Sequence, residues 1–427
     1  MKPFIDWVAH LPSSWREKPL IAVADYLVSN VDKIPAEGET PVRLCNYTDV
    51  YNNEFITPDL DLMITTATEN EIEKFRLKVG DIVITKDSED WNDIGVPAFV
   101  KKTADDLVCG YHLAILRPRK KVLDGRFLLR CLQAKALRVQ LELAASSGVT
   151  RFGIPKAALG LMRLPIPSLS KQREIADYLD QETRRIDSLL AGKERLLAIL
   201  VEKRRALITS AIIRGLNHRS AVRDSGIPWL GKIPASWQVE RARWLFRERD
   251  ERSTTGEEEL LSVSHLTGVT PRSSKDVNMF EAETTEGYKL CYSGDLVINT
   301  LWAWMGAMGV SRVNGIVSPA YNVYKPNPRL DPGFVDLLVR IPIFSQEVIR
   351  YSKGVWSSRL RLYPEGFFEV YLPVPPIEEQ RAIAGYIAGQ TTKLDAMRTA
   401  TERTIALLRE RRSALINAAV TGQISIN

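Results

Sequence analysis

The chain has 427 residues, of which 45% are hydrophobic and 26% are charged, as in ordinary soluble globular proteins. This length is too great for one hydrophobic core, so we expect two to four domains. The formal net charge of +6 favours an anionic partner such as nucleic acid, while four scattered cysteines and four histidines argue against a zinc cluster, a disulfide framework or a Ser/His/Asp catalytic arrangement.

The amino-terminal segment resembles no targeting sequence, because its first residues are mixed polar ones and not an apolar stretch. The longest apolar run in the first long helix predicted below, residues 196–201, is far too short to span a bilayer. We therefore expect a cytoplasmic protein. A short tryptophan and proline segment opens the chain and returns 222 residues later: Ile5, Trp7, Pro12, Ser14 and Trp15 match Ile227, Trp229, Pro234, Ser236 and Trp237.

A globular stretch follows each of these segments, over residues 18–163 and 239–371. Both stretches share a Gly-Asp turn before an apolar strand, at Gly80 and Gly294, and a second strand that ends at Pro118 or Pro326. A Leu-Asp pair then leads into a short helix in each. The loops after the first strand differ, since residues 85–93 are polar and acidic whereas residues 299–306 are rich in tryptophan. A kept scaffold with changed loops is typical of two binding modules for different ligands.

Basic, polar and aromatic residues near these loops are the candidates for contacts with nucleic acid, because Lys and Arg neutralise phosphates while Arg, Asn and Ser read base edges. For a single lysine a solvated surface position is the simpler interpretation, and for a tryptophan it is core packing. The candidates in the first stretch are Lys86, Ser88, Trp91, Lys101, Arg117 and Arg151. Those in the second are Asn299, Trp302, Trp304, Arg312, Lys325, Arg359 and Arg361.

A long helical segment follows each globular stretch, over residues 164–212 and 372–420. The two segments share 20 identities in 49 positions at a constant offset of 208. Each begins with Leu-Pro-x-Pro, lacks an internal proline and ends near a glycine, Gly215 or Gly422, as helix start and stop rules require. Two ordinary amphipathic helices, each lying on its own domain, are the simpler alternative.

The apolar residues of these segments repeat every seven positions, which favours a coiled-coil seam. In the first segment the seam residues are Ile175, Leu179, Ile186, Leu189, Leu196, Leu200 and Leu207. In the second they are Ile383, Ile387, Leu394, Met397, Leu408 and Leu415. A seam of this kind is stable in water through a partner helix, and the other copy is the nearest one.

These patterns predict a mixed α/β fold of the α+β class, with an internal pseudo-twofold repeat. Two globular domains are separated by two long helices, which pair as an antiparallel coiled coil. The predicted divisions are residues 1–163 for the first domain, 164–216 for the first helix, 217–371 for the second domain, and 372–427 for the second helix and tail. The strand order of the domains is not decided by the sequence.

Motifs for catalysis are absent from the sequence. Residues 226–233 imitate a phosphate-binding Gly-x4-Gly-Lys loop, but Ile233 replaces the required Ser or Thr and Pro228 removes a backbone amide. No dinucleotide loop or base-methyltransferase motif is present, and the carboxylates near Asp87 are better explained as a solvated or DNA-facing loop than as a nuclease site. The sequence therefore indicates a binding protein without a metal site.

The chain resembles the specificity subunits of type I restriction-modification enzymes. The resemblance rests on the two tryptophan and proline segments and on the helix starts, above all residues 372–383, which read LPVPPIEEQRAI. The first copy departs from this signature, with Ser168, Ser170 and Lys171 in place of Pro376, Glu378 and Glu379. The departure weakens the start of that helix without removing the resemblance, which covers nearly the whole chain.

The resemblance implies a non-catalytic subunit whose two target recognition domains each read one half of a bipartite, asymmetric site in double-stranded DNA. It also implies that the paired helices fix the spacer and dock two methyltransferase subunits, which restriction subunits join. S-adenosylmethionine, ATP and Mg²⁺ would then belong to these partners, and no cofactor is expected here. Two alternatives stay open: a coiled-coil scaffold without DNA specificity, and a nuclease or methyltransferase that acts alone.

Overall fold

The computed structural model describes residues 6–147, 151–274, 284–354 and 360–426. The chain divides into two units, each treated separately below. Unit 1 takes in the described part of residues 1–194 and 403–427, and unit 2 takes in that of residues 195–402. Each unit contains one globular domain together with a part of each long helix.

Unit 1 contains thirteen described strands, most of them short. They are β1 (Arg16–Pro19), β2 (Ala24–Val28), β3 (Thr40–Cys45), β4 (Phe55–Ile56), β5 (Met63–Ala67), β6 (Ile82–Thr85), β7 (Asp87–Ser88), β8 (Pro97–Val100), β9 (Leu107–Cys109), β10 (Leu113–Pro118), β11 (Ser146–Ser147), β12 (Phe152–Gly153) and β13 (Arg163–Ile166). The central sheet has the order β2-β10-β6-β8-β4, in which β4 runs parallel to β8 and the other pairs are antiparallel.

Three smaller sheets complete the strands of unit 1, with the orders β5-β3-β9, β11-β12-β7 and β1-β13. The helices of its globular domain are α1 (Leu20–Val23), α2 (Tyr47–Asn52), α3 (Glu69–Phe75), α4 (Gly125–Gln133), α5 (Lys135–Ala144) and α6 (Lys156–Leu161). Short 3-10 helices lie at Asp6–His10 and Trp91–Asp93. The two predicted strands correspond to β6 and β10, and the Leu-Asp pair leads into α4 as predicted.

The first long helix, α7 (Leu169–Arg214), follows β13 and continues into unit 2. The strands of unit 2 are β14 (Val222–Asp224), β15 (Lys232–Pro234), β16 (Gln238–Arg241), β17 (Phe246–Arg249), β18 (Leu261–Ser264), β19 (Gly268–Pro271), β20 (Lys289–Cys291), β21 (Leu296–Asn299), β22 (Met308–Val310), β23 (Gly315–Val317), β24 (Tyr321–Pro326) and β25 (Tyr371–Val374). Its shorter helices are α8 (Ala242–Leu245), α9 (Pro332–Val339), α10 (Pro342–Tyr351) and α11 (Pro364–Glu369), with 3-10 helices at Arg272–Ser274 and Ala303–Met305. The second long helix, α12 (Ile377–Val420), begins in unit 2 and ends in unit 1.

The two globular domains have the same plan. The central sheet of unit 2 has the order β17-β24-β21-β22, which repeats the β2-β10-β6-β8 order of unit 1 strand for strand. The pairing of β16 with β25 likewise repeats that of β1 with β13. Within the described residues, unit 2 has no counterpart of β4, so its central sheet has four strands. The mixed α/β fold and the internal repeat are thus confirmed.

The tryptophan and proline segments pack inside the units. Trp7 lies in the core of unit 1, and Trp229 and Trp237 lie in the core of unit 2. Trp15 packs against the unit 1 core but is only partly buried. Three of these four tryptophans are thus core residues, and Ile5 lies outside the described residues.

Candidate nucleic-acid interface and long helices

The predicted loop of unit 1 follows β6, and its side chains are mostly engaged by neighbours. Lys86 forms an ion pair with Asp87. Ser88 is buried, and its hydroxyl lies 3.2 Å from the Tyr47 hydroxyl. These contacts stabilise the loop, so they favour a structural role for Lys86 and Ser88. Trp91 is 45% exposed at the edge of the same loop and is the residue of this set that a ligand reaches directly.

His112 connects this loop with Arg151. Arg151 Nη1 lies 2.8 Å from His112 Nε2, and His112 Nδ1 lies 3.4 Å from a carboxylate oxygen of Asp87. A guanidinium only donates, so Nε2 accepts and the proton of the neutral ring sits on Nδ1. Burial lowers the pKa of His112, with an opposing contribution from Asp87. Arg151, whose side chain is 45% exposed, is held at the surface by this contact.

Arg117 lies on β10 and holds the carboxylate of the Gly-Asp turn. Its Nε and Nη2 donate to the two oxygens of Asp81 at 2.9 and 2.7 Å, and the Asp81 side chain is 2% exposed. The hydrogen bond with Asp81 raises the pKa of Arg117. Unit 2 also holds the equivalent carboxylate, Asp295, with an arginine, but this is Arg249 on β17, the counterpart of β2 and not of β10. The engagement of Arg117 by a buried carboxylate favours a structural role, whereas Lys101 is exposed with its ammonium 5.3 Å from the Phe55 ring centroid.

The corresponding loop of unit 2 presents aromatic rings in place of carboxylates. Trp302 is 51% exposed and stacks with Trp304 at a centroid distance of 6.2 Å and an interplanar angle of 18°. Trp304 Nε1 donates to the Leu301 carbonyl oxygen, which fixes this partly buried ring. Asn299 is 5% exposed, and its side chain accepts from the Leu301 amide, so it supports the loop from beneath. Core packing, the simpler interpretation for a tryptophan, is therefore wrong for Trp302.

The remaining basic candidates of unit 2 are at the surface. Arg312 follows β22, Lys325 lies on β24 and Arg361 follows the gap at residues 355–359, and all three side chains are exposed. The backbone of Arg361 pairs with that of Lys353. Arg359 lies outside the described residues. None of these placements measures contact with DNA, so the candidate set stays a prediction.

A glutamine bracket fixes the start of each long helix. Gln172 is fully buried; its Oε1 accepts from the Asp124 amide at 2.8 Å, and its Nε2 donates to the carbonyl oxygens of Val122 and Pro167. Gln380 makes the same three bonds in unit 2, accepting from the Asp331 amide and donating to the carbonyl oxygens of Arg329 and Pro375. Asp124 and Asp331 in turn cap α4 and α9. Each helix is therefore tied to the Leu-Asp element of its domain.

The seam of the long helices has the predicted seven-residue period. Ile175, Leu179, Ile186 and Leu200 are buried in α7, as are Ile383, Ile387 and Leu394 in α12. Leu196, Leu207, Leu408 and Leu415 are partly buried.

Two predicted seam residues are wrong, because Leu189 and Met397 are each 50% exposed. Within each repeat of seven residues, the second seam residue lies four positions after the first, whereas a spacing of three was predicted. The spacing of four buries Thr183 in α7 and Thr391 and Ile405 in α12. The sequence has leucine at both 189 and 190, and at both 196 and 197, so apolarity alone did not decide between the two spacings.

Ion pairs join the two long helices within each unit. In unit 1, Arg412 Nε lies 2.9 Å from Asp187 and Arg409 lies 3.0 Å from Glu194. In unit 2, Arg204 Nη1 lies 2.6 Å from both carboxylate oxygens of Asp395. From Asp187 to Glu194 the residue number rises along α7, while that of the paired arginine in α12 falls from 412 to 409. The helices therefore run antiparallel within unit 1. The Arg412 and Arg204 pairs are equivalents, since both members are related by the offset of 208.

The glutamine bracket and these ion pairs were missed in the sequence, although a signal for them was present. Gln172, Asp187 and Arg204 all belong to the 20 identities between the two helical segments. A polar residue that is identical in both copies of a repeat indicates a contact that both copies make.

Within the described residues no group of three His, Cys, Asp or Glu side chains is placed to hold a metal ion. The four cysteines are free and buried, and burial raises the pKa of the Cys291 thiol to about 12. Such a thiol is not a nucleophile at neutral pH. No described helix has the length and apolar character that crossing a membrane requires.

Comparison with known proteins gives a consistent result. The family model of the type I restriction modification DNA specificity domain matches residues 27–197. A Methanocaldococcus jannaschii protein, provisionally named the type I restriction enzyme MjaX specificity subunit, is 21% identical over 364 residues, which are 84% of this chain and 81% of that protein. The Escherichia coli K12 EcoKI specificity subunit is 27% identical over 164 residues, 38% of this chain and 34% of its own length.

Two solved structures share the fold over nearly the whole chain. One, described as the structural basis of complex assembly and conformational transition of the type I R-M system, has a TM-score of 0.71 at 18% identity and covers 97% of this chain and 99% of its own. The HsdS subunit from Thermoanaerobacter tengcongensis has a TM-score of 0.58 at 16% identity, with 97% and 98% covered.

Proposed function

Because this chain belongs to the specificity subunits of type I restriction-modification systems, we propose that it selects the DNA sequence on which such a complex acts. Each globular domain reads one half of a bipartite, asymmetric site in double-stranded DNA. The domain of unit 1 reads one half-site, and that of unit 2 reads the other. The long helices α7 and α12 fix the number of base pairs between the half-sites and dock two methyltransferase subunits.

The observation that carries this proposal is a repeated scaffold with two different loops. The same strand order and the same glutamine bracket occur in both units. At the same position after the equivalent strands β6 and β21, one unit presents Asp87 and Trp91 and the other presents Trp302 and Trp304. Different side chains read different base edges. Two unlike loops on one scaffold therefore support two unlike half-sites.

The subunit itself is proposed to be non-catalytic. S-adenosylmethionine, ATP and Mg²⁺ are assigned to the methyltransferase and restriction subunits that join it, and the complex is assigned to the cytoplasm. Buried, protonated thiols and the engaged residues around His112 support the non-catalytic role. A nuclease or methyltransferase acting alone would modify DNA in the absence of partners, and purified chain with Mg²⁺ or S-adenosylmethionine tests that alternative.

Mapping methylated adenines and cytosines across the genome of cells that carry this chain and its cognate methyltransferase tests the proposal. The expected result is one motif of two different half-sites with a constant spacer. Exchanging residues 18–163 for the first domain of another specificity subunit should then change one half-site alone. If both half-sites changed together, independent reading by the two domains would be wrong.

A coiled-coil scaffold without DNA specificity is the second candidate, favoured by the paired helices. The two candidates differ in the salt dependence of DNA binding, because phosphate contacts release counterions and make the affinity fall steeply with salt. The assembled complex should show this slope and should prefer its own site. Equal, weak affinity for every duplex would favour the scaffold.

A further inference from the structure

Unit 1 contains an ion-pair network that ties its globular domain to both long helices. Arg126 on α4 contacts Asp177 and Asp180 on α7 at 2.6 and 3.2 Å. Arg130, which is 1% exposed, joins Asp180 at 2.6 Å to Glu54 at 2.9 Å. Glu54 also accepts from Arg412 on α12 at 2.9 Å. Six charged side chains, three arginines and three carboxylates, thus connect α4 and the residue before the edge strand β4 with both long helices.

Unit 2 lacks this network at the equivalent positions. The shared Asp124 and Asp331 caps align Arg126 with Gly333 and Arg130 with Leu337, and the helix repeat aligns Asp177 with Gly385 and Asp180 with Ala388. Glu54 precedes β4, for which the described part of unit 2 has no counterpart. All three carboxylates of the unit 1 network are therefore missing in unit 2, together with its two α4 arginines.

The missing side chains leave a groove of about 770 Å³ in unit 2. Its lining includes the small residues Gly333, Gly385 and Ala388, together with one carboxylate, that of Asp336. Gly385 lies within α12, and no atom comes within 4 Å of where its Cβ would be. A glycine inside a helix costs roughly 1 kcal/mol relative to alanine, and it permits close approach by another chain.

Three arginines remain around the groove: Arg204, Arg312 and Arg340. Arg204 is the equivalent of Arg412 and keeps its pair with Asp395, but it has lost the second carboxylate that Glu54 supplies in unit 1. Arg340 reaches Asp336 at 3.5 Å, while its Nε is buried without a hydrogen-bond partner. Arg312 is exposed and forms no ion pair among the described residues. Of the six network residues, only Arg412 has a charged counterpart in the groove, Arg204, whereas Arg312, Arg340 and the carboxylate of Asp336 are additions of unit 2.

We propose that this groove docks an acidic segment of a partner protein subunit, whose carboxylates take the places that Glu54, Asp177 and Asp180 occupy in unit 1. The inference rests on the proposed function, in which that partner is one of the two methyltransferase subunits. Duplex DNA fits the site poorly, because a duplex whose major groove alone is about 12 Å wide is too broad to enter a gap left by a few deleted side chains. Unit 1 therefore contributes these carboxylates from its own chain, whereas unit 2 receives equivalent carboxylates from the partner subunit.

Two substitutions of opposite kind test the groove. Arg312→Glu removes a cation from its rim, and the double variant Gly385→Asp, Ala388→Asp supplies the carboxylates within the chain. Lys232→Glu, at an exposed residue of β15 outside the groove, carries the same charge change as Arg312→Glu and serves as the control. Native mass spectrometry and titration with purified cognate methyltransferase subunit measure how many subunits bind and how tightly.

The expected result is that both groove variants lose at least tenfold in affinity for one of the two methyltransferase subunits, so that a one-to-one complex accumulates. Lys232→Glu should keep both subunits. Wild-type affinity for both subunits in the two groove variants would overturn the inference and leave the proposed function intact. Loss of duplex DNA binding with normal subunit binding would also overturn it, since the groove would then contact DNA. If the wild-type chain bound no methyltransferase subunit, the proposed function would fail as well.

Discussion

Gln172 and Gln380 each satisfy three backbone groups at the junction between a globular domain and its long helix. A glutamine amide suits this role because one side chain both accepts and donates. Buried backbone groups without partners are costly, so the junction depends on this residue more than on any surface ion pair. The aspartate that each glutamine contacts also caps the next helix, which joins two local structures through one contact.

Replacing Gln172 with alanine should lower the free energy of unfolding of the assembled protein by about 3 kcal/mol, because one amide and two carbonyl groups lose their buried partner. Chemical denaturation followed by circular dichroism measures the change. Gln181→Ala, at an exposed position of the same helix, is the matched control and should change stability by less than about 0.5 kcal/mol. Equal losses of unfolding free energy in the two variants would contradict the proposed importance of the Gln172 hydrogen bonds.

Trp302 is the residue of unit 2 from which we expect the largest loss of DNA affinity. Substitution by alanine removes an apolar surface worth about 2 kcal/mol when covered, so binding to the specific duplex should weaken roughly tenfold or more. Fluorescence anisotropy of the complex with labelled duplex measures the change. Trp244→Ala removes the similarly exposed ring of α8, outside the loop, and should leave affinity unchanged. A loss with Trp244→Ala and none with Trp302→Ala would place the DNA elsewhere.

The long helices show how far the sequence defines an element. Their number, length and seven-residue period were predictable, because the repeat and the absence of internal proline are properties of the chain itself. The face of each helix that packs in the seam was not predictable. Adjacent leucines at 189 and 190 satisfy a spacing of three or of four residues, and only the surface of the partner helix selects one of them. Sequence position likewise does not show which loop candidates are already engaged by neighbours, and their contacts with DNA stay a prediction. Ser88 and Arg117 lie beside the predicted loops in sequence, but they are engaged by Tyr47 and Asp81.

The corrected seam makes a prediction at this scale. Ile186→Ala should lower the free energy of unfolding by about 2–4 kcal/mol, because Ile186 is 3% exposed between the helices. Leu189→Ala should cost less than about 0.5 kcal/mol, because Leu189 is half exposed. Thermal and denaturant unfolding of the two variants compares them directly. A larger effect at Leu189 than at Ile186 would support the predicted spacing of three residues, or would indicate that Leu189 packs against a partner subunit.

The whole molecule repeats one module twice, and its two units differ where specificity and assembly require it. The loops after β6 and β21 differ in side-chain chemistry, which suits two half-sites. The space beside the long helices differs in charge, filled by Glu54, Asp177 and Asp180 in one unit and open in the other. The sequence repeat predicts the common plan, whereas the groove depends on how the equivalent positions of α9 and α12 meet in three dimensions.

Deleting residues 188–194 from α7 removes about 10 Å of helix, at 1.5 Å per residue, while α12 keeps its length. The equivalent pairs Arg412–Asp187 and Arg204–Asp395 then cannot both keep their register, so assembly with methyltransferase or DNA reading should be lost. Deleting residues 396–402 from α12 as well removes the equivalent heptad and restores both pairs. The double deletion should therefore recover assembly, with a spacer changed by about three base pairs at 3.4 Å each. Methylation mapping reads the spacer directly, and an unchanged spacer and activity in the single deletion would show that the helices do not set the distance between half-sites.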